Sequence, residues 1–394
     1  MQRGLLMTNK TYNIELVKER NRTVVLELLN SKGTSTRSEI SDITGLTNAT
    51  ITNIVKELIS KDLVEEVGTV DGKLGRKRKL IKIKEDAFYV IGIEFGVNIV
   101  RAGIFNIKGK KINSIEKEIN SYGRPTDVLK NLILIIDELI NNSKVDFYKI
   151  KGMGIAMPGL IDSQKRILRS VHPFPLLKEY PLVEQLEEHY EKTIWLENDA
   201  NGAVLGEKWF GHGKKFNNYV FIVGDSGIGA GIIINGKLYS GTSNSAGEIG
   251  HTVITKDLIP LESFGGLSRL ADEFNLPLEI ILNESKKSDE IKKAIDEISK
   301  FLALGIVNLV NTIDPEAVIL GGRILKVGNS VIREIKKIVE QYTFSNEIPE
   351  ILVATKKEDA ILSGAASIAI EHIVSSPYEF LLNNAKNISY NNPK

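Results

Sequence analysis

The stretch TRSEISDITGLTNATITNIVKELIS, residues 36–60, has the pattern of two short helices separated by a glycine turn. Thr36 and Glu39 have the spacing of a capping box, in which each side chain satisfies an amide at the start of a helix. Gly45 would end the first helix, and Thr47 can cap the second. The buried stripes would be Ile40 and Ile43 in the first helix and Ile51, Ile54, Val55, Leu58 and Ile59 in the second.

The outward face of the second helix carries short polar side chains. Such side chains near the start of a helix suit contacts with base edges and phosphates in a major groove. We therefore expect this helix to read DNA through Asn48, Thr50, Thr52, Asn53 and Lys56.

Elements on both sides complete this unit. Apolar spacing predicts a preceding helix from Asn21 to about Gly33, and two strands at 63–67 and 80–83 would flank a glycine-rich turn, Gly68 to Lys79. The order predicts a winged helix-turn-helix, although a protein-interaction or dimerisation module is the alternative. The turn carries the cations expected to meet phosphates or a narrow minor groove, namely Arg76, Lys77, Arg78 and Lys79.

Charge is unevenly distributed along the 394 residues. Residues 1–84 carry 16 Lys and Arg against 10 Asp and Glu, a net +6, whereas the rest carries 35 against 40, a net −5. A basic head on an acidic body suggests that the head meets a polyanion.

Composition excludes several classes of protein. The chain has no cysteine, which rules out disulfides, thiolate zinc sites and a cysteine nucleophile. No apolar run reaches the ~18 residues that a membrane span needs, and the N-terminus lacks the pattern of a signal peptide. We therefore expect a cytoplasmic protein without membrane contact.

The body repeats one pattern. Strands and tight turns alternate over residues 89–119 and again over residues 219–239, where Asn235-Gly236 is a hairpin signal. Helical stretches are predicted at 287–311 and 360–374. The pattern indicates a duplicated α/β protein with a cleft between two lobes, a place that small ligands favour. The expected divisions are a DNA-binding domain at 1–84, a first lobe at 85–200, a second lobe at 201–375 whose last helix returns toward the first, and a loose tail at 376–394.

Two short polar segments stand out in the body. Asn198 and Asp199 follow a predicted strand at 193–196, and in isolation they would be interpreted as a turn or cap pair. Glu248 and His251 lie three residues apart in a glycine-rich loop, where the histidine alone would be interpreted as structural. A pocket that combines carboxylate acceptors with amide donors can orient the hydroxyl groups of a sugar.

Six short motifs occur along the body, namely GMGIAMPG at 152–159, ENDAN at 197–201, GIGAG at 227–231, AGEIGH at 246–251, GG at 321–322 and GAA at 364–366. Through these motifs the chain resembles, from Asn21 to about Ile373, the ROK family (repressors, open reading frames and sugar kinases), and specifically its winged-helix repressors. The resemblance implies a two-lobed fold of the actin-like ATPase type behind the winged helix. It also implies that Asn198, Asp199, Glu248 and His251 are sugar ligands.

The phosphate loops depart from the pattern of the family's kinases. The first normally reads Asp-x-Gly-x-Thr, but here Glu94 replaces the aspartate and Asn98 follows Gly96-Val97 without the threonine. In the second loop, Asp225 stands where phosphate oxygens should pass, unless its side chain turns outward. Two like charges ~4 Å apart at an effective dielectric of ~20 cost about 4 kcal/mol, which weakens nucleotide binding roughly a thousandfold.

A second departure concerns zinc. Family members commonly follow the histidine loop with Cys-x-Cys-Gly-x-x-Gly-Cys, but here Leu261, Ser263 and Ser268 stand at the thiolate spacings. We therefore expect no metal site. The family's further sugar-contacting glutamate is not assigned, because Leu270 falls at its spacing and Glu273 lies a few residues later.

Together these features predict a transcriptional repressor of carbohydrate utilisation genes that a sugar releases from its operator. Resemblance to xylose repressors ranks xylose before glucose as the inducer. The expected protein is a homodimer or a dimer of dimers, has no cofactor and is not an enzyme. The alternatives are an ATP-dependent sugar kinase with a regulatory DNA-binding head, and a constitutive DNA-binding protein with a vestigial pocket.

Overall fold

The computed structural model describes residues 2–71, 77–170, 172–284 and 288–382. The head comprises helices α1 (Gln2–Lys32), α2 (Arg37–Thr44) and α3 (Asn48–Ser60) and strands β1 (Thr34–Thr36), β2 (Val64–Asp71) and β3 (Lys77–Ile83). The strands form an antiparallel sheet in the order β1-β3-β2. Three helices and a hairpin therefore follow one another as predicted, with β1 as an unpredicted third strand.

The predicted caps of the helix-turn-helix are confirmed. The Thr36 backbone amide donates to the Glu39 carboxylate at 2.8 Å, and the Glu39 amide donates to the Thr36 hydroxyl at 3.3 Å. Gly45 ends α2 with a φ of 71°, in the left-handed region that glycine tolerates. Thr47 accepts from the Thr50 amide at the start of α3.

Several boundaries and burial assignments were wrong. Helix α1 begins at Gln2 rather than Asn21, since no proline interrupts the chain before it. The hairpin strands reach Asp71 and Lys77, which face each other, because a bulge at Gly68 lets pairing continue past the predicted start of the turn. Ile43 and Ile59 are 49% and 37% exposed, because both lie in the last turn of their helices, past the head core.

The first lobe is a five-stranded mixed sheet. Its strands are β4 (Tyr89–Phe95), β5 (Ile99–Asn106), β6 (Lys111–Glu118), β7 (Ile150–Met157) and β10 (Ile194–Asn198), in the order β10-β7-β4-β5-β6. Helices α4 (Pro125–Asn141) and α5 (Leu182–Tyr190) cover one face, and β8 (Ile161–Asp162) and β9 (Ile167–Leu168) form a small hairpin. Because β10 is parallel to β7, the carboxyl end of β10 lies beside the loop that follows β7.

The second lobe repeats this arrangement after helix α6 (Asp199–Phe210). Its sheet has the order β13-β12-β11-β14-β15. The strands are β11 (Tyr219–Gly224), β12 (Ile228–Ile234), β13 (Lys237–Leu238), β14 (Ala317–Gly321) and β15 (Glu350–Val353). The helices are α7 (Glu262–Gly265), α8 (Ser268–Phe274), α9 (Leu278–Glu284), α10 (Asp289–Ile313) and α11 (Asn329–Tyr342).

The last helix, α12 (Ala360–Ser375), packs against α6 and against the first-lobe strands β4 and β7. This packing is close enough to require glycine. A Cβ on Gly364 would lie 2.5 Å from the carbonyl oxygen of Gly202, and one on Gly154 would lie 1.9 Å from that of Ala365. Two of the predicted glycine motifs are therefore explained by helix packing.

The hydrophobic core does not divide at residue 84. One cluster joins Val25, Leu26 and Leu29 of α1 with Ile370 and Val374 of α12. The proposed division at residues 84, 200 and 375 stays a prediction about domains.

The expected loose tail is wrong for the turn at Tyr378–Leu382, because Leu382 is buried in the cluster shared by head and body. Residues 383–394 lie outside the described part. None of the described helices is both long and apolar enough to cross a membrane.

Candidate functional site

Asn198 and Asp199 lie where β10 passes into α6. The side-chain oxygen of Asn198 caps this helix by accepting from the amides of Ala200 and Asn201, at 2.9 and 3.3 Å. Its side-chain nitrogen donates to the carbonyl oxygen of Gly159 at 3.2 Å, which ties α6 to the loop after β7. Asn198 is therefore a helix cap. Its bond to Gly159 uses one of the two N–H groups of the side-chain amide.

A buried carboxylate supports this turn. Glu197 accepts from the Asn198 amide at 2.8 Å and from the Asn201 side chain at 3.0 Å. Because both partners belong to the first turn of α6, Glu197 holds the start of the helix in place.

Asp199 is half-buried at the first position of α6. Burial raises the pKa of its carboxyl group to about 6, the Ala200 amide opposes this rise, and the nearby carboxylates of Asp225 and Glu248 add to it. These acidic side chains from both lobes therefore converge on the start of α6. Such a cluster is a strong acceptor for hydroxyl groups and repels anions.

Glu248 precedes and His251 ends one short helical turn, Ile249–His251, which contacts β12 and α7. Burial raises the pKa of the Glu248 carboxyl, His251 lowers it, and Glu262 raises it again. His251 is 69% exposed, and its Nδ1 lies 3.8 Å from the Glu262 carboxylate. The structure thus brings the carboxylates of Asp199 and Glu248 near each other and leaves the His251 side chain largely exposed.

Sequence reasoning missed Glu262, the first residue of α7. A Cβ added to Gly227 or Gly250 would lie 3.2 or 3.1 Å from its Oε2, so both glycines leave room for this carboxylate. The two positions considered for the family's further sugar-contacting glutamate, Leu270 and Glu273, lie elsewhere. Leu270 is buried in the second-lobe core, and Glu273 pairs with Arg269 at 3.5 Å. The spacing of the family's zinc motif placed Leu261 at a thiolate position but gave no role to its neighbour. The available signal for Glu262 was its position directly after Leu261, which is itself a core residue.

The first phosphate-type loop carries an internal ion pair. Glu94, near the end of β4, pairs with Arg101 on β5 at 2.9 Å. Burial raises the pKa of Glu94 to about 7, Arg101 opposes this rise, and Asp199 and Asp225 contribute to it. Arg101 also pairs with Asp359, so the loop is linked to the segment that leads into α12.

The second phosphate-type loop is paired as well. The Nε of Arg323 donates to Asp225 at 2.7 Å, and the same guanidinium donates to Ser226 at 2.8 Å. The Asp225 carboxylate also contributes to the raised pKa of both Asp199 and Glu94, so it lies on the same side of the loop as these two groups. The repulsion calculated between an unpaired Asp225 and nucleotide phosphates is therefore an upper bound, because Arg323 offsets part of the charge of this carboxylate.

The predicted DNA-reading face of α3 divides into two groups. Asn48, Asn53 and Lys56 are exposed, whereas Thr50 and Thr52 are half-buried. The Thr52 hydroxyl donates to the Asn48 carbonyl oxygen at 2.7 Å, and the Thr50 hydroxyl lies 2.9 Å from that of Thr47. The exposed amides and ammonium group are thus better placed for base and phosphate contacts than the threonine hydroxyls.

The hairpin next to α3 carries part of the predicted basic cluster. Lys77 and Arg78 begin β3, opposite Asp71 and Val70, and Lys77 is exposed. Lys79 pairs with Glu66 across the hairpin, which reduces its availability to DNA. Arg76 lies outside the described residues.

Comparison with known proteins agrees with this geometry. The model of the ROK family matches residues 90–372, and a model of winged helix-turn-helix DNA-binding domains matches residues 19–65. The chain is 28% identical to a putative xylose repressor of Caldicellulosiruptor sp. strain Rt8B.4, over 93% of this chain and 99% of the relative. It is 26% identical to a glucokinase of Thermotoga maritima, over 72% of this chain and 98% of the enzyme.

A solved structure covers almost the whole chain. The crystal structure of a ROK family transcriptional regulator, described as a homologue of the E. coli MLC protein, superimposes with a TM-score of 0.79 at 21% identity. The alignment covers 93% of this chain and 99% of that one. The expected fold class is confirmed, with a winged helix-turn-helix ahead of two α/β lobes. Because the family model spans well over half of the residues, the chain belongs to the ROK family.

Proposed function

We propose that the protein is a sugar-responsive transcriptional repressor of carbohydrate utilisation genes. The observation that carries this proposal is the presence on one chain of an exposed helix of helix-turn-helix type and a group of carboxylates, Asp199, Asp225 and Glu248, gathered at the start of α6. Among sugars, xylose is our first candidate and glucose our second. The similarity to a putative xylose repressor supports this order.

The cleft suits a neutral, hydroxyl-rich ligand. The carboxylates of Asp199, Glu248 and Glu262 would accept from sugar hydroxyl groups, while the second N–H of Asn198 and a ring N–H of His251 would donate to them. Because each hydroxyl is both donor and acceptor, such a mixed set rejects analogues that lack one hydroxyl group.

DNA binding would involve two heads. We propose a homodimer or a dimer of dimers in which each α3 enters the major groove of one operator half-site. Lys56, Lys77 and Arg78 would contact phosphates, as would Arg76. Sugar binding would close the lobes, so that the distance between the two heads would no longer match the operator half-sites. The shift of this equilibrium cannot exceed the sugar's binding preference for the closed state. The protein would act in the cytoplasm.

A sugar kinase with a DNA-binding head is the second candidate. It is favoured by Asp199, whose pKa of about 6 suits a general base acting on a sugar hydroxyl. Against it stand the missing threonine of the first phosphate-type loop and the carboxylate of Asp225 in the second, because Asp225 carries negative charge where nucleotide phosphates would pass. Release of ADP from ATP in the presence of xylose or glucose would favour the kinase.

The deciding experiment is fluorescence anisotropy with labelled DNA from upstream of the protein's own gene and neighbouring operons, at fixed salt. Binding that xylose or glucose releases would establish the repressor and name its inducer. Tight binding that no sugar changes would indicate the constitutive DNA-binding protein. Absence of DNA binding would contradict the proposal.

A further inference from the structure

We propose that the sugar signal travels along α6 to the head and acts there through Lys208, which exchanges between Glu371 of α12 and Glu27 of α1. We call the set Glu27, Asn30, Lys208, Trp209 and Glu371 the junction. The inference rests on the proposed function, because it assigns the route by which the cleft would control DNA binding.

Helix α6 connects the two places directly. Asp199 is its first residue, and Trp209 lies ten residues later, about 15 Å along the helix axis. The helix is tightly held, since a Cβ on Gly206 would lie 3.2 Å from the Cα of Gly364 on α12. Closely packed helices shift as units rather than deform, so a displacement at Asp199 also reaches Trp209.

The far end of α6 meets the head through polar contacts. Glu371 accepts from the Lys208 ammonium at 2.7 Å and from the Trp209 Nε1 at 2.6 Å. The Asn30 side chain donates to the Trp209 carbonyl oxygen at 3.2 Å in a buried contact. These bonds join α6, α12 and α1 at one point.

Lys208 has two carboxylate partners at this point. It contacts Glu371 and also lies 3.7 Å from Glu27. Burial raises the pKa of Glu27, Lys208 lowers it, and Glu371 raises it, so the two carboxylates compete for one cation. Because α6 and α12 pack closely, they would move together. A shift of this pair by about 1 Å toward α1 would bring the Lys208 ammonium, now 3.7 Å from Glu27, within hydrogen-bonding distance of that carboxylate, where the lysine side chain can exchange partners. Helix shifts of 1–2 Å are common in switching proteins.

The head side of the junction reaches the recognition helix. Arg22 of α1 is 7% exposed in its side chain and donates to both carboxylate oxygens of Glu57 on α3, at 3.0 and 2.9 Å. Its guanidinium also lies over the Tyr378 ring, 5.4 Å from the centroid. The Thr23 hydroxyl donates to the carbonyl oxygen of Val374 at 3.0 Å. Helix α1 therefore links the body to α3 without a flexible tether.

Tryptophan fluorescence can report on this junction. The chain has two tryptophans, Trp209 in the junction and Trp195, whose ring stacks on His372 at a centroid distance of 5.3 Å. The variant Trp195→Phe leaves Trp209 as the single reporter. It serves as the parent protein for the experiment.

The experiment titrates the parent, and the parent carrying Glu371→Gln, with xylose and with glucose. Calorimetry measures sugar affinity, anisotropy measures operator affinity with and without sugar, and emission reports Trp209. In the parent, sugar should shift the Trp209 emission and release the operator. In the Glu371→Gln variant, we expect sugar affinity within about twofold of the parent, but at least a tenfold smaller sugar effect on operator affinity and no emission shift.

Glu138→Gln is the matched control. It breaks a comparable lysine–glutamate pair, Lys117 with Glu138 at 3.1 Å, on the outer side of the first lobe. Its sugar effect on operator affinity should equal that of the parent.

The outcomes separate the two proposals. If sugar binds the parent but leaves operator affinity unchanged, the proposed repressor function fails and the inference with it. If sugar releases the parent but Glu371→Gln is released equally, or Trp209 emission does not change, only the junction route is wrong. Should Glu371→Gln not fold, Glu27→Gln removes the second partner of Lys208 instead. An undiminished sugar effect in that variant overturns the exchange.

Discussion

The substitution Asp199→Asn should stabilise the protein while it removes sugar binding. The pKa of this carboxyl rises from 3.8 to about 6 on folding, mainly because of burial. Two units of pKa correspond to about 3 kcal/mol of penalty for the ionised carboxylate in the folded state. Asparagine carries no charge, and its side-chain oxygen can still accept from the Ala200 amide as Asp199 does at 2.9 Å.

The gain depends on pH in a defined direction. Between about pH 4 and 6 the native carboxyl keeps a proton that the unfolded chain has lost, so wild-type stability falls as pH rises through this window. The penalty that asparagine removes is about 1 kcal/mol at pH 4.5 and about 3 kcal/mol at pH 8. The advantage of the variant should therefore grow by about 2 kcal/mol between these pH values.

Urea unfolding at pH 4.5 and pH 8 tests this expectation for the wild type, Asp199→Asn and Asp272→Asn. Asp272 is exposed on α8 and serves as the control for the loss of one negative charge. The same preparations should bind operator normally, and Asp199→Asn should no longer respond to sugar. An Asp199→Asn variant whose stability relative to the wild type is the same at both pH values would refute the reasoning.

Three further outcomes follow from the site and the head. Replacing Lys77 and Arg78 together by alanine should weaken operator binding and leave the sugar affinity measured by calorimetry unchanged. It should also reduce the slope of log binding constant against log salt concentration by up to about 2. An unchanged slope would exclude phosphate contacts by these two side chains. Glu262→Gln should weaken sugar binding roughly tenfold in calorimetry, because an ionised acceptor is lost, without changing operator affinity in the absence of sugar. Sugar affinity of the wild type should fall below about pH 6 as Asp199 becomes protonated, and a flat profile from pH 5 to 8 would mean that its carboxylate does not bind the sugar.

Local signals carried most of the predictions for the head. The capping box of Thr36 with Glu39 and the left-handed Gly45 depend on residues that are neighbours in the chain, and both are present in the structure. The strand predicted at 193–196 corresponds to β10, which continues to Asn198, and the interpretation of Asn198 as a cap residue agrees with its hydrogen bonds at the start of α6. Short-range hydrogen bonding leaves a pattern in the sequence that can be read without the fold.

Contacts between distant residues left no such pattern. Arg323 pairs with Asp225 from 98 positions away, so the sequence showed the acidic side chain without its partner. Glu262 was missed because its place depends on how the loop before α7 folds back toward His251. Ile43 was misassigned because helical spacing gives the direction of a side chain but not where the neighbouring core ends.

The core shared by α1 and α12 limits how regulators of this kind can be recombined. Val25 and Leu29 pack in one cluster with Ile370 and Val374. A domain boundary at residue 84 would therefore separate side chains that pack against each other. A chimera that exchanges only the first 84 residues, to retarget the protein to another operator, would join two mismatched halves of one core. A working exchange must carry the facing residues of α12 along with the head, and in evolution these two distant segments are expected to change together.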